Sequence, residues 1–303
     1  MGLDVYGIIT ERITKALDEG TVPWHKPWDA AAGAPRNAVS KKAYRGINVF
    51  LLGMGGMRFE SNYWLSFKQS QQLGGNVRRG EKSQQVIFWK VERVVKGDPD
   101  ENGDAPTGRR FILRYYNVFN VEQCDLPERV WARLAPPKKP DWNPIEHADE
   151  IVGAMPNAPR ILHGGDVACY SPHLDIVKMP EREQFKAPAE YYSTLFHELG
   201  HSTGHESRLA RKNIMDLCPF GSTNYSAEEL VAEMTAAFLC GVAGIENTTV
   251  LNSAAYIKSW LSKLKDDRKM VVLAAAQAQR AADYILDRKA GEEASDPDVA
   301  EAA

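Results

Sequence analysis

The chain reads as an α+β protein of two domains: a mixed α/β domain over residues 1–135, a second domain over residues 136–290 built on a helix that carries two histidines, and an acidic tail at 291–303. Three observations carry this reading. His197-Glu198-Leu199-Gly200-His201 stands in a segment of helical periodicity, and segments 86–91 and 110–119 are rich in the β-branched and aromatic residues that favour paired strands. Between them Ala135-Pro136-Pro137-Lys138-Lys139-Pro140 places three prolines in six residues, which neither a helix nor a central strand tolerates. At 303 residues the chain is long for one core and comfortable for two.

Taken in order, Val5 to Leu17 has the spacing of a short amphipathic helix that Gly20 and Pro23 break. A mixed region leads to the two strands, and the polar, turn-rich stretch 96–104 between them reads as a flexible loop. Beyond the prolines, 168–170 and 175–179 read as short strands. Apolar groups at 191, 192, 195, 196 and 199 then give the 3.6 period of a half-buried helix, with Gly204 as its stop. A second helix is expected over 225–239, and helix again from Thr249 to Leu286, with apolar spacing around Trp260, Leu264, Val271, Ala275 and Ala282. The tail from Gly291 is rich in Glu, Asp and Ala and is expected to be disordered.

Composition narrows the function classes. The chain is 44% apolar and 25% charged, as ordinary globular proteins are. Its net charge of −3 hides an asymmetry: residues 1–135 hold 20 basic against 15 acidic side chains, and residues 136–303 hold 17 against 25. Between Arg36 and Arg93 there are 11 basic residues and three acidic ones, a balance that attracts phosphate. Cysteines 124, 169, 218 and 240 form no CxxC pair and read as free thiols of a reducing compartment. Charges throughout the first 19 residues argue against a signal peptide, and no apolar run approaches 18 residues, so a cytoplasmic protein without a membrane partner is expected. The Gly74 to Lys82 segment lacks the spacing and ending of a phosphate loop, which argues against ATP binding.

The chemistry concentrates at residues 197–201. Four residues along a helix advance about 6 Å and return to nearly the same face, so the imidazoles of His197 and His201 reach one cation. Glu198 then lies beside the cation, placed to take a proton from a water that the metal has acidified, which is the chemistry of peptide hydrolysis. A third protein ligand is needed. Three glutamates in the second helix compete. Ser226 followed by Glu229 fits a capping box, and Glu228 suits the helix dipole, whereas Glu233 falls among Leu230, Val231, Met234 and Ala237, where a bare carboxylate would be expensive to bury. Glu233 is therefore preferred, with Glu229 as the alternative. His205 follows Gly204, where the helix stops, and is expected outside the ligand row. The cofactor expected is Zn²⁺ or another divalent transition metal.

The run Tyr191 to Arg211, YYSTLFHELGHSTGHESRLAR, with YSAEELVAEMTAAFL after it, closely resembles the zincin-like metallopeptidase domain of ArdC-type antirestriction proteins, a family carried on conjugative plasmids and other mobile elements. Val22-Pro23-Trp24, Pro35-Arg36-Asn37-Ala38, Tyr44-Arg45-Gly46-Ile47-Asn48, Tyr63-Trp64, Phe67-Lys68-Gln69 and the Gly74 to Lys82 segment resemble the single-stranded-DNA-binding domain of the same proteins. The resemblance runs from about Val5 to Asp287. It implies protection of incoming single-stranded DNA from restriction, ligands His197, His201 and Glu233, Glu198 as base, and a proteolysis target such as a restriction factor. In the N-terminal domain, aromatic rings among basic residues suit base stacking: Trp24, Trp28, Tyr44, Trp64, Phe67 and Trp89. Arg45, Lys68, Arg78, Arg79 and Lys82 are expected to meet phosphates. Two function classes follow, a metal-dependent peptidase tethered to single-stranded DNA and a DNA-shielding protein whose metal is structural. A structural site has no need of Glu198.

Overall fold

Helix α1 (Val5–Asp18) starts where Asp4 accepts a hydrogen bond from the Gly7 amide at 2.9 Å, and its buried stripe is Val5, Ile9, Ile13 and Leu17, as the 3.6 period demands. The structure, a computed structural model, describes residues 4–25, 33–95, 107–134, 143–211, 223–245, 247 and 254–288. The expected loop at 96–104, the boundary at 135–140, the tail from 291 and Trp28 lie outside the described residues.

In the N-terminal half, β1 (Arg36–Asn37) pairs in parallel with β2 (Tyr63–Ser66), and β2 pairs antiparallel with β5 (Thr107–Asn120). The expected strands form one long antiparallel ladder, β4 (Gln84–Val95) on β5, with Trp89 opposite Leu113. The four-stranded sheet thus runs β1-β2-β5-β4, and a two-stranded sheet joins β3 (Asn76–Val77) to β6 (Cys124–Asp125). Helix α2 (Ile47–Gly56), apolar on nearly every side at its start, packs on β4. Asn48 docks it: its side-chain amide donates to the Ile87 carbonyl and accepts from the Ile87 amide, both at 2.8 Å. Helices α3 (Phe67–Gln72) and α4 (Glu128–Trp131) complete this half.

The C-terminal half has α5 (Pro144–Ala154), then β7 (Arg160–His163), β8 (Cys169–Ser171) and β9 (Ile176–Met179) in the order β7-β9-β8, with β7 parallel and β8 antiparallel to β9. Helix α6 (Pro188–Ser202) packs on β8 and β9, and α7 (Thr223–Ala243) lies against both α6 and the last helix. The helical stretch expected over 249–286 is two helices, α8 (Ala254–Asp266) and α9 (Met270–Ile285). Among the described residues no helix is long and apolar enough to cross a membrane.

The halves share their largest core. Ile9, Ile13, Trp24 and Phe50 pack in one cluster with Phe238, Trp260, Val271 and Ala275. Trp24 meets Phe50 and Trp260 edge-on at 6.4 and 5.3 Å, and Phe50 stacks on Phe238 at 4.9 Å. Gly46, at the start of α2, holds a left-handed φ of 55° and donates its amide to Gln279 of α9, while Arg45 pairs with Asp283. Smaller clusters around Trp64 and Val118, and around Leu65 and Cys124, belong to the N-terminal half alone.

Candidate metal centre

Pro188 opens α6, where its fixed φ suits a first turn and its missing N–H loses nothing. Tyr191, Tyr192, Leu195, Phe196 and Leu199 bury one side of the helix, and the same period turns His197 and His201 together. Their Nε2 atoms stand 3.1 Å apart. Helix α7 comes unusually close because residue 200 is glycine: a Cβ there would lie 3.2 Å from the Ala232 Cα and 3.2 Å from the Thr235 Cβ. That approach brings the carboxylates of α7 to the histidines of α6.

Glu229 faces both imidazoles on their Nε2 edges, with Oε2 at 3.6 Å from His197 and Oε1 at 3.4 Å from His201. Among the described residues, His197, His201 and Glu229 form the group able to hold a metal ion, with ligand atoms all within 4.8 Å of one another. Glu233 goes elsewhere: its Oε1 lies 3.7 Å from Nδ1 of His197, on the opposite edge of the ring. Of the two glutamates weighed from the sequence, the alternative, Glu229, is the one that faces both imidazoles, whereas the preferred Glu233 faces His197. The capping argument that had reserved Glu229 does not apply, because α7 begins at Thr223 and Ser226 lies inside its first turn. Glu228 in turn lies 3.5 Å from Nδ1 of His201 and is held by Arg211, which donates to its two oxygens at 3.0 and 2.5 Å.

The electrostatics follow from this crowding. Glu198, Glu228, Glu229 and Glu233 are all buried, and Arg211 pairs with one of them. Burial by itself would lower the pKa of His197, but Glu229, Glu233 and Glu198 outweigh burial and hold the imidazole up at about 9. Burial pushes Glu228 up, yet His201 and Arg211 keep it below the ordinary carboxylate value. Two imidazole nitrogens and a carboxylate, with buried negative charge in excess, are a donor set that a divalent transition metal fits.

The chain leaves α6 in a braced turn. His205 bonds Ser207 at 2.8 Å, away from the other two histidines. Arg208, its side chain fully buried, donates to the Ser202 carbonyl at 2.7 Å and to Asp175 in the turn between β8 and β9. Tyr170 of β8 donates to the same Asp175 at 2.9 Å.

The residues expected to meet DNA divide. Trp24 and Trp64, expected as stacking platforms, are 0% and 1% exposed. Trp24 belongs to the shared core and Trp64 packs edge-on against Phe59 at 5.9 Å, so neither offers a ring to a base. Tyr44 is also buried. Arg45 is committed to Asp283, and Arg78 to Glu81 at 3.1 Å and to the Glu122 carbonyl. Lys68 on α3, and Arg79 and Lys82 on the turn from β3 to β4, are exposed, as is the ring of Phe67. Trp89 and Phe111 are exposed on the β4–β5 ladder. Phe111 was not singled out from sequence, although strand alternation with Trp89 and Leu113 could have marked it; Arg211 was missed because its partner is 17 residues away on another helix.

Residues 3–119 match a family model described as the N-terminal domain of anti-restriction factor ArdC, and residues 146–277 match one described as a zincin-like metallopeptidase. The chain is 34% identical over 293 residues to the uncharacterized protein y4eC of Sinorhizobium fredii, covering 93% of this chain and 91% of that one. It is 38% identical over 298 residues to a protein named DNA primase TraC from Escherichia coli, covering 92% of this chain and 20% of TraC. The chain thus spans about a fifth of the length of that relative. Among solved structures it resembles the antirestriction ArdC protein from the R388 plasmid, metal-free, with a TM-score of 0.74 and 34% identity over 94% of this chain and 97% of that one. The Mn(II)-bound structure of the same protein gives a TM-score of 0.71 and 33% identity over 96% of this chain and 100% of that one.

Proposed function

The chain belongs to the family of ArdC antirestriction proteins, and we propose that it is a metal-dependent peptidase that acts on proteins gathered on single-stranded DNA. His197, His201 and Glu229 hold one divalent cation, Zn²⁺ or Mn²⁺, and the observation that carries this is the convergence of both Nε2 atoms and the Glu229 carboxylate on one point between α6 and α7. When bound, the cation would supply Lewis acidity, able to polarise a peptide carbonyl and to lower the pKa of water to roughly 7.

The protein's own contribution is positional and protic. Glu198 follows His197 on α6 and is 8% exposed, so its carboxylate is largely shielded from bulk water. It takes a proton from the attacking water and returns it to the departing amine. The glutamates on α7 fix both imidazoles. A purely structural site leaves Glu198 without a task, which favours the enzyme over the DNA-shielding alternative.

On the N-terminal half, Phe67 with Lys68, Arg79 and Lys82 forms the stacking and phosphate-contacting surface, since these side chains are exposed and α3 packs against β3. Because both halves share one core, DNA binding and hydrolysis belong to one body, and the intact chain is the unit to assay.

Glu198→Gln is the direct test. It keeps metal content, fold and DNA binding, and lowers cleavage of DNA-bound candidate proteins on the order of 10²-fold or more. Full cleavage by this variant, or full protection of transferred DNA in a restricting cell, would remove the peptidase from the function.

A further inference from the structure

Each imidazole of the metal centre has its outer nitrogen turned to a carboxylate of α7: Nδ1 of His201 to Glu228 at 3.5 Å, and Nδ1 of His197 to Glu233 at 3.7 Å. The two arrangements differ in what stands behind them. Glu233 is fully buried in the interior of α7. Glu228 stands nearer the start of the helix and is gripped by Arg211, through Nε to Oε2 at 3.0 Å and Nη2 to Oε1 at 2.5 Å. Arg211 also donates to the Gly200 carbonyl at 2.8 Å and to Thr203 Oγ1 at 2.6 Å, so one guanidinium ties the C-terminal end of α6 to α7. Both members of the pair are 8% exposed in their side chains.

We propose that Arg211 and Glu228 form a positioning pair that fixes the ring orientation and tautomer of His201, and through it the affinity and coordination geometry of the cation. The inference rests on the metal-site reading above. Its chemistry is general: a ligating imidazole whose second nitrogen donates to a carboxylate is held as the correct tautomer, in the correct plane and with higher basicity, and loss of such a partner weakens metal binding about 10–100-fold. A lone glutamate beside His201 would swing between rotamers. The planar fork of Arg211 removes that freedom, because two parallel donors fix the carboxylate plane and a lysine offers only a point charge. Arg211 lies ten residues beyond His201 and is anchored to carbonyls of the helix it serves, so the site is sensitive to how the chain leaves α6.

The test uses the intact chain and the metal alone. Apparent dissociation constants for Zn²⁺ and Mn²⁺ are measured by chelator competition, and the visible absorption of the Co²⁺-loaded protein reports ligand geometry. Glu228→Gln keeps size and can still accept from Arg211 but removes the charge at Nδ1; it is expected to weaken binding 10–100-fold at unchanged stoichiometry and to alter the Co²⁺ spectrum. Arg211→Lys is expected to do the same to a smaller degree, and the double variant to be no weaker than Glu228→Gln alone, since the pair acts through one imidazole. Thermal unfolding of the metal-free proteins separates this from loss of fold, and Glu228→Gln is decisive if Arg211→Lys does not fold. Glu229→Gln distinguishes the two readings. If Glu229→Gln abolishes binding while Glu228→Gln binds as tightly as the unaltered chain with the same spectrum, the positioning pair is refuted and the metal site stands. If Glu229→Gln and His197→Ala both bind metal normally, the metal site itself is refuted.

Discussion

Glu233 faces Nδ1 of His197 at 3.7 Å, the ring edge opposite the one that Glu229 approaches at 3.6 Å. One imidazole is thus gripped from both sides by carboxylates a turn apart on a single helix. Only the inner one shares its opening with His201.

The two glutamates are expected to separate on substitution. Glu229→Ala should leave the purified chain without bound metal at any practical concentration. Glu233→Ala should still load one equivalent, with affinity lowered about 10–100-fold, as expected for a group that touches a ligand instead of the ion. Elemental analysis after dialysis reads the first and chelator titration the second. The reverse pattern would return Glu233 to the ligand set.

Gly200 permits the contact that assembles the site. In Gly200→Ala the new methyl meets the Ala232 backbone at 3.2 Å, and backbone yields less readily than a side-chain tip. Helical propensity favours alanine by about 1 kcal/mol, while overpacking between the helices costs about 1–3 kcal/mol. The net expectation is a modest loss of thermal stability with a clear loss of metal affinity, because α7 is pushed outward with Glu229 on it. Unchanged metal affinity would show that the helix spacing does not matter to the ligands.

Aromatic residues of the N-terminal half should sort by burial. Trp24→Ala and Trp64→Ala remove large core side chains and should destabilise the fold by about 3–5 kcal/mol, seen as a lowered Tm. Phe67→Ala should leave Tm nearly unchanged and weaken single-stranded DNA binding by about 1–3 kcal/mol in fluorescence anisotropy. Lys68→Ala, Arg79→Ala and Lys82→Ala should each reduce the slope of affinity against salt concentration. A Phe67→Ala protein that binds as before would move the stacking surface elsewhere, with Trp89 and Phe111 next in line.

The brace at the exit of α6 gives stability a pH dependence. Burial pushes Asp175 up, but hydrogen bonds from Arg208 and Tyr170 outweigh burial and hold its pKa below the ordinary 3.8. A carboxylate depressed by folding stabilises the native state fully above its unfolded value, and that stabilisation fades as pH falls through the native one. The contribution is therefore complete at neutral pH and lost only below about pH 4. Asp175→Asn should be less stable than the unaltered chain at pH 7, with the difference narrowing in urea titrations carried down to pH 3. A constant difference across that range would remove Asp175 from the acid response.

Local patterns were legible from the sequence wherever chemistry and periodicity coincide within a few residues. The pairing of His197 and His201 with Glu198 follows from helical geometry alone. The spans of α1 and α6 and the β4–β5 ladder follow from apolar period and β-branched content, as does the mixed α+β class. What the tertiary structure decided is every relation between elements. Glu229 and Glu233 share one helix face to within the error of a sequence argument, and only the approach of α7 to α6 at Gly200 assigns them to opposite edges of His197. Trp24 and Trp64 lie among basic residues in the sequence, yet Trp24 is buried by what the far end of the chain brings and Trp64 by Phe59, Tyr116 and Val118 of its own half. Trp260 covers the first, as Asp283 occupies Arg45. Arg211 and Glu228 find each other across 17 residues, and no period in the chain encodes that meeting. Periodicity reports the side of an element that faces inward, whereas the partner found there depends on chain segments remote in sequence, whose packing is set by the shared core.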